Sequence, residues 1–236
     1  MRYFLFFPLL LPSLALAGPT IISVTGTLAS EYVYRGISQS DNHLAPQGSI
    51  VISKNGWYGG LWASKADYDD QLTLYELDGF IEKRWQVGKL DLAVHVLKYD
   101  YPNTKSDWQY GNWRAGLGAG YPIGEGRIGV YTDRYDNRLG SGHSYYYEIN
   151  GMYPLAGFTF TASVGKQQFS DNVRMGLPDF TYTHLAISHE WRGFNLTFAL
   201  DRSDLSKDEC FYGQEWCGSH FNMQVSRSFT LFKSEN

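Results

Sequence analysis

The sequence has few cysteines and prolines, and after its first 17 residues it has no long apolar run. Two cysteines and eight prolines are spread over 236 residues. A membrane-spanning helix needs about 20 consecutive apolar residues, so no such helix is predicted beyond residue 17. No Pro-rich, Ser-rich or charge-block stretch divides the remaining chain. This absence excludes an obvious linker and predicts one domain over residues 18–236.

The sequence also lacks an excess of positive charge and any familiar catalytic motif. Lys and Arg total 20 against 24 Asp and Glu, and the net charge of -4 argues against a nucleic-acid partner. No G-x-S-x-G pattern occurs, and the histidines are dispersed, which favours solvated or hydrogen-bonded side chains over catalytic ones. They are His43, His95, His143, His184, His189 and His220. We therefore expect a protein that is not an enzyme and needs no cofactor or metal.

The glycine-rich run GLGAGYPIGEG, residues 116–126, does not predict a phosphate-binding loop. Gly116, Gly118 and Gly120 recur at period two, and no helix follows them. Small residues on one face of a strand instead leave room in a narrow lumen or accept a bulky neighbour across it.

Residues 1–17 are typical of a signal peptide for export. A basic start at Arg2 is followed by an apolar run that ends in Ala-Leu-Ala, a small-x-small cleavage site. An uncleaved anchor is the alternative, but Pro8 and Pro12 interrupt a run that is already short for a spanning helix. We expect cleavage after Ala17 and no lipoprotein anchor, because no cysteine follows.

The two cysteines lie close together near the C-terminus. In an exported protein Cys210 and Cys217 predict one disulfide that closes a short loop. A metal-binding pair is the alternative, but no nearby His or Cys spacing completes such a site.

What the chain does have is glycine and aromatic residues. It contains 25 Gly and 18 Tyr, aromatics make up 17% of residues, and the mean hydropathy is -0.33. An exported chain of this composition, without a spanning helix, is either a secreted β protein or an outer-membrane barrel.

Side-chain character alternates with period two in twelve segments of roughly ten residues, the length of a strand that crosses a bilayer at a tilt. An even strand number is typical of single-chain bacterial barrels. The alternation is clearest in the fifth segment, whereas the seventh is ambiguous in facing. The segments are 22–35, 48–54, 57–66, 72–85, 89–101, 108–121, 127–135, 144–153, 158–167, 181–191, 194–201 and 220–231.

The connections between these segments alternate strictly between short and long. Those after even segments are terse, such as Asn55-Gly56, a strong hairpin signal. Those after odd segments are longer and polar. This parity predicts an all-β, transmembrane, antiparallel up-and-down barrel with short periplasmic turns and longer extracellular loops.

Charged residues in strand centres separate this barrel from a soluble sandwich or lipocalin-like barrel. Glu76, His95 and Arg114 are examples. A charge is tolerated in a water-filled lumen and is costly in a dry core.

Several stretches resemble the TorF-type porin family over roughly residues 22–231. The most specific are the Tyr-x-x-Arg-Gly block in SEYVYRGISQSDN (30–42), NGWYGGLWAS (55–64), the Glu-x-Asp pair in LYELDGF (74–80) and KYDYP (98–102). The resemblance implies an outer-membrane β-barrel of a Gram-negative bacterium with a channel role. One departure is the C-terminus, where residues 233–236 follow the last aromatic.

We predict a passive porin for small solutes or ions, with a narrow, mildly cation-preferring lumen. Inward carboxylates outnumber guanidinium groups, and rings of carboxylates favour cations. The predicted pore-lining residues are Glu31, Arg35, Glu76, Asp78, Asp91, His95, Arg114, Glu148 and Glu190. A network of ion pairs that plugs the lumen is the alternative, and the function would then lie in the extracellular loops. A hydrolase of the outer membrane is a third hypothesis.

The expected surroundings follow from this prediction. The protein is exported to the outer membrane, contacts its lipid, and meets the barrel-assembly machinery during biogenesis. Aromatic residues near strand ends are expected to face lipid at headgroup depth. They are Trp57, Tyr58, Trp62, Trp85, Trp113, Tyr121, Tyr145, Trp191 and Phe194. Tyr32 and Tyr34 are also expected to meet lipid.

Overall fold

The structure is a computed structural model that describes residues 18–67, 73–102, 111–136, 142–211 and 213–235. The predicted signal peptide lies outside these residues. The described chain is almost entirely β-strand. The strands are β1 (Ile21–Ala29), β2 (Val33–Tyr34), β3 (Ile37–Ser38), β4 (Ala45–Lys54), β5 (Trp57–Asp67), β6 (Thr73–Val87), β7 (Leu90–Asp100), β8 (Asn112–Ile123), β9 (Gly126–Asp136), β10 (His143–Leu155), β11 (Phe158–Phe169), β12 (Phe180–Trp191), β13 (Phe194–Ser203) and β14 (Ser219–Lys233). A short helix, α1 (Asn172–Met175), and a 3-10 turn (Lys207–Glu209) lie in connections.

Twelve of these strands close into an antiparallel barrel. From β4 to β14, strands that follow each other in the chain are neighbours in the sheet. β1 pairs with both β14 and β4 and so completes the ring. The predicted twelve-stranded up-and-down barrel is therefore confirmed. β2 and β3 pair with each other and are not part of the barrel sheet.

The first predicted strand is too long. The segment 22–35 keeps its alternation in sequence, but β1 ends at Ala29 and the chain leaves the barrel wall there. It returns to the wall at Ala45, which is directly opposite Ala29 in the β1–β4 ladder.

The two ends of the barrel differ in their connections. Two-residue turns join strands at one end, which we call the turn end, at residues 55–56, 88–89, 124–125, 156–157 and 192–193. The longer connections all lie at the other end, the loop end. Asn55 and Gly56 have φ of 50° and 76°, the left-handed pair that matches the twist of a tight hairpin. The predicted parity of short and long connections is confirmed.

The barrel wall is apolar outside and polar inside, because successive side chains of a strand point to opposite faces. On β7, Val94 and Val96 are exposed on the outer surface, whereas Asp91 and His95 are buried inside. A soluble protein would bury its apolar face, so this inversion is the pattern that a lipid-facing barrel requires. Within the described ranges, no helix is long and apolar enough to span a membrane.

Most of the predicted lipid-facing aromatics lie on the outer face, but two do not. Trp62 is buried inside the barrel, and Tyr58 packs inside it against the guanidinium of Arg84. Both share the face of β5 that carries buried Ser64, so the period of two places them in the lumen. The prediction for Tyr58 and Trp62 was wrong because it relied on their position near strand ends rather than on their parity.

Candidate functional site: the barrel lumen

The chain between β1 and β4 folds into the barrel from the loop end; we call residues 30–44 the inner segment. Its β2–β3 hairpin turns at Arg35 and Gly36, with φ of 53° and 74°. This is the left-handed pair of a tight hairpin, and it is uncommon for a residue as large as Arg. A Cβ at Gly36 would lie 2.7 Å from the backbone N of Ser203, so glycine is required there.

The aromatic residues of the inner segment lie in the lumen, which corrects the prediction that they meet lipid. Tyr32 is only 3% exposed and packs edge-on against Trp62, with ring centroids 5.4 Å apart. The hydroxyl of Tyr34 lies 3.1 Å from that of Tyr99 and 2.7 Å from that of Tyr135. Because the chain has left the wall, strand alternation no longer separates lipid from lumen here.

The tip of the inner segment is held by a buried carboxylate on β9. Oδ2 of Asp133 lies 3.0 Å from Nη2 of Arg35 and 2.7 Å from Nε of Arg114, while Oδ1 lies 2.9 Å from Nε2 of His95. All four side chains are buried. Asp133 thus joins the inner segment to β7, β8 and β9 across the lumen.

Asp133 was missed by sequence reasoning because the facing of its strand was ambiguous. The alternation is present: Tyr131, Asp133 and Tyr135 are buried, while Ile128 and Val130 are exposed. Arg and Gly residues at the start of the strand obscured this pattern. Taking every second residue back from Tyr135 would have placed Asp133 on the inner face.

Tyrosines surround the two arginines. Arg114 donates to the hydroxyl of Tyr99 at 2.6 Å and also to the hydroxyl of Tyr131. The guanidinium of Arg35 stacks on the ring of Tyr146, 3.2 Å from its centroid, and donates to Oε1 of Gln167 at 2.8 Å. The arginines are therefore fixed by neutral groups as well as by a carboxylate.

Eight of the nine predicted pore-lining residues are buried inside the barrel: Glu31, Arg35, Glu76, Asp78, Asp91, His95, Arg114 and Glu148. The ninth, Glu190, is exposed near the turn end of β12, on the inward parity of its strand. Their role in lining a conducting path stays a prediction.

Most inward acids have a basic or hydrogen-bonding partner. Glu31 lies 2.9 Å from Nδ1 of His220, and Asp201 lies 2.8 Å from Nδ1 of His184. The other inner pairs are Glu82 with Arg84 and Asp91 with Arg127.

Glu76 and Asp78 differ from the other inward acids. They are neighbours on the inner face of β6, and each is about 1% exposed. Within the residues that the structure describes, neither forms an ion pair with Lys, Arg or His. Because a buried charge without a counter-charge is costly, this pair is among the least compensated acids of the described lumen.

Most of the buried charged side chains of the inner surface lie on one side, on β6 to β10. Hydroxyl and amide side chains predominate on the inner faces of β1, β4 and β11 to β14. Buried examples are Gln47, Ser49, Ser163, Gln167, Ser188, Asn195, Ser203 and Asn222. Among the described residues, eight buried Asp and Glu face three buried Arg inside the barrel. These residues include no group of three or more metal-ligating side chains placed to hold a metal ion.

The predicted disulfide is present in a loop that contacts the inner segment. Cys210 and Cys217 are joined, with their Cα atoms 5.8 Å apart. Cys217 forms a β-bridge with Ile37, and the backbone N of Ser38 donates to the carbonyl of Trp216 at 2.7 Å. The disulfide loop therefore holds the inner segment at the loop end.

Comparisons with known proteins agree with this architecture. A model of a bacterial protein family of unknown function (Gcw_chp) matches residues 15–229. A search of curated proteins finds no match. Among solved structures, the KdgM porin is similar with a TM-score of 0.60 and 9% identity, covering 89% of this chain and 99% of that chain.

Two further solved structures are similar. The NanC porin has a TM-score of 0.56 and 9% identity, covering 89% of this chain and 100% of that chain. The COG4313 outer membrane channel from Pseudomonas putida F1 has a TM-score of 0.53 and 15% identity, covering 97% and 100%. At these identities the likeness shows a shared fold.

Proposed function

The chain belongs to the Gcw_chp family of bacterial proteins, whose function is unknown, and we propose that it is an outer-membrane porin, a passive channel for small solutes or ions. The observation that carries this proposal is the closed barrel with an apolar outer face and a charged, polar inner face. Its structural neighbours are porins and channels, which fits a protein that is not an enzyme. The resemblance to TorF-type porins supports the same role.

The proposed orientation follows from the connections. The turn end faces the periplasm and the loop end faces outward, as in other barrels with short turns and long loops. Residues 1–17 act as the export signal, and the exposed apolar belt contacts outer-membrane lipid after the assembly machinery has inserted the barrel.

We infer a narrow lumen that prefers cations. The excess of buried carboxylates over arginines supports the preference, because carboxylates attract cations and repel anions at close range. Glu76 and Asp78 contribute most in this proposal, since they are the most deeply buried acids of the described chain and form no ion pair there. The inner segment supplies the constriction.

Conductance and ion selectivity in planar bilayers test the proposal. Purified protein should give step currents, and a KCl gradient should give a reversal potential of cationic sign. Glu76→Gln with Asp78→Asn should move that potential toward zero. Asp136→Asn, which removes an exposed acid from the outer face, is the matched control and should leave it unchanged. Folded protein without step currents would refute the channel.

A second candidate function is favoured by the inner segment itself. The ion pair of Arg35 with Asp133 and the side chains of Tyr32 and Tyr34 lie inside the lumen and occupy part of it. A barrel that stays closed would act through its extracellular loops, as a structural or ligand-binding protein. Liposome swelling separates the two candidates, because a closed barrel produces no swelling with any solute.

A further inference from the structure

A cavity of about 100 Å³ lies in the lumen between the tip of the inner segment and the barrel wall. Arg35 and Arg114 line it, together with Glu148 on β10 and Asp201 on β13. That space is enough for several water molecules or one small solute.

One group of lining residues is cationic. Arg35 and Arg114 both contact the carboxylate of Asp133, so two guanidinium groups share one acid. Arg35 is held in place by Gln167 and by the ring of Tyr146, which leaves its charge fixed beside the cavity. Guanidinium groups are the preferred protein partners of carboxylates.

A second group of lining residues is anionic. The carboxylate of Glu148 accepts hydrogen bonds from the hydroxyls of Tyr146 and Tyr182 and, at 2.8 Å, from Nδ2 of Asn150. These donors are neutral, and Glu148 has no ion pair among the described residues. Asp201 accepts at 2.8 Å from Nδ2 of Asn222 and is also paired with His184.

We propose that this cavity is a subsite for a small zwitterion, an α-amino acid of the size of glycine or alanine. The solute carboxylate faces Arg35 and Arg114, and its ammonium group faces Glu148 and Asp201. A small anion would find a charged partner only in the guanidinium groups and a small cation only in the acids, and an uncharged polyol would gain from neither. The inference rests on the proposed channel function and names a class of solute for it.

Channel block and equilibrium binding together test the subsite. In planar bilayers, glycine should reduce the KCl current with a saturable concentration dependence, whereas glycerol at equal concentration should change it only through viscosity. Glu148→Gln should raise the half-blocking glycine concentration by roughly tenfold, because a charge-assisted hydrogen bond is lost. Glu125→Gln, the same substitution at an exposed site in the two-residue turn 124–125, should leave the block unchanged.

Equilibrium dialysis of detergent-folded protein against radiolabelled glycine gives a readout that does not need conduction. Glycine binding that Glu148→Gln weakens, in a barrel without step currents, would support the subsite and refute the channel. Step currents with no glycine binding and no saturable block would overturn the subsite and leave the channel standing. Asp201→Asn replaces Glu148→Gln as the test if the latter variant does not fold, as judged by heat-modifiable migration in gels.

Discussion

Asp133 on β9 and Arg35 at the tip of the inner segment lie 98 residues apart in the chain and form a buried ion pair of 3.0 Å inside the barrel. The same carboxylate also pairs with Arg114, so one acid binds basic groups from two separate parts of the structure. This relationship fixes where the inner segment sits in the lumen.

Replacement of Asp133 by Asn should destabilise the barrel strongly. The change leaves two buried guanidinium groups without their shared counter-charge, and breaking a buried pair from one side costs about 3–5 kcal/mol. The free energy of unfolding in urea, measured in detergent micelles, checks this. Asp136→Asn on the same strand is the control: its partner Arg134 is exposed, so the expected loss is within about 0.5 kcal/mol. Equal losses in both variants would contradict a central role for Asp133.

Gly116 should not tolerate a side chain. A Cβ there would lie 2.0 Å from Oδ1 of Asp133 and 2.5 Å from Cε1 of His95, so Gly116→Ala forces that pair apart. Overpacking of this kind costs about 1–3 kcal/mol. Gly26→Ala is the matched control, because nothing lies within 4 Å of its Cβ position. Urea midpoints of the two variants compare them directly, and a Gly116→Ala barrel as stable as Gly26→Ala would contradict the close approach of His95 and Asp133 to this strand.

Removal of the disulfide should loosen the inner segment while the barrel stays intact. The loop of Cys210 and Cys217 holds that segment through the bridge from Cys217 to Ile37 and through the indole of Trp216, which donates to Oδ1 of Asp41 at 2.9 Å. A double Cys→Ser variant loses the constraint on a short loop, worth about 2 kcal/mol in the chain-entropy model.

Hydrogen exchange followed by mass spectrometry measures the effect of this double variant. Exchange should accelerate in peptides that cover residues 37–42, whereas peptides from β10 and β11 serve as the internal control and should keep their protection. Unchanged exchange at 37–42 would show that the disulfide loop does not hold the inner segment.

Asp179, in the connection before β12, should titrate below its ordinary pKa. Slight burial raises the pKa of this carboxyl, but hydrogen bonds from the backbone N of Phe169 at 2.9 Å and Nδ2 of Asn172 at 3.0 Å outweigh it, and the pKa falls below its ordinary value. A lowered folded-state pKa means that the stabilisation is present above the unfolded value and is lost as pH falls through the folded value.

Carbon-13 NMR titration of the Asp179 carboxyl checks this prediction. Asn172→Ala should move the pKa of Asp179 upward, toward its ordinary value. Ser206→Ala, in a different loop, is the control and should have no effect. An identical titration curve in all three proteins would remove Asn172 as a cause.

The barrel wall was predictable because each strand obeys a local rule. Period-two alternation and the parity of short and long connections can both be read from consecutive residues. Recognising them requires no knowledge of partners that are distant in the sequence. Pairs such as Asp91 and His95 on β7 could therefore be assigned to the lumen from sequence.

The inner segment was not predictable by the same rule. Residues 30–35 continue the alternation of β1, so nothing local marks the departure of the chain from the wall at Ala29. The contacts that hold the segment inside come from β5, β7, β9 and β11, more than 20 residues away. A periodicity in one strand carries no information about such partners.

The position of the inner segment inside the barrel has a consequence for the order in which its contacts form. The hairpin tip is synthesised before β9 and β11, yet its final contacts are with Asp133 and Gln167 on those strands. These contacts therefore form only after β9 and β11 have been synthesised, and in the folded barrel the seam between β1 and β14 closes the ring around them. In the folded protein, the hairpins that are synthesised later surround a segment that is synthesised early.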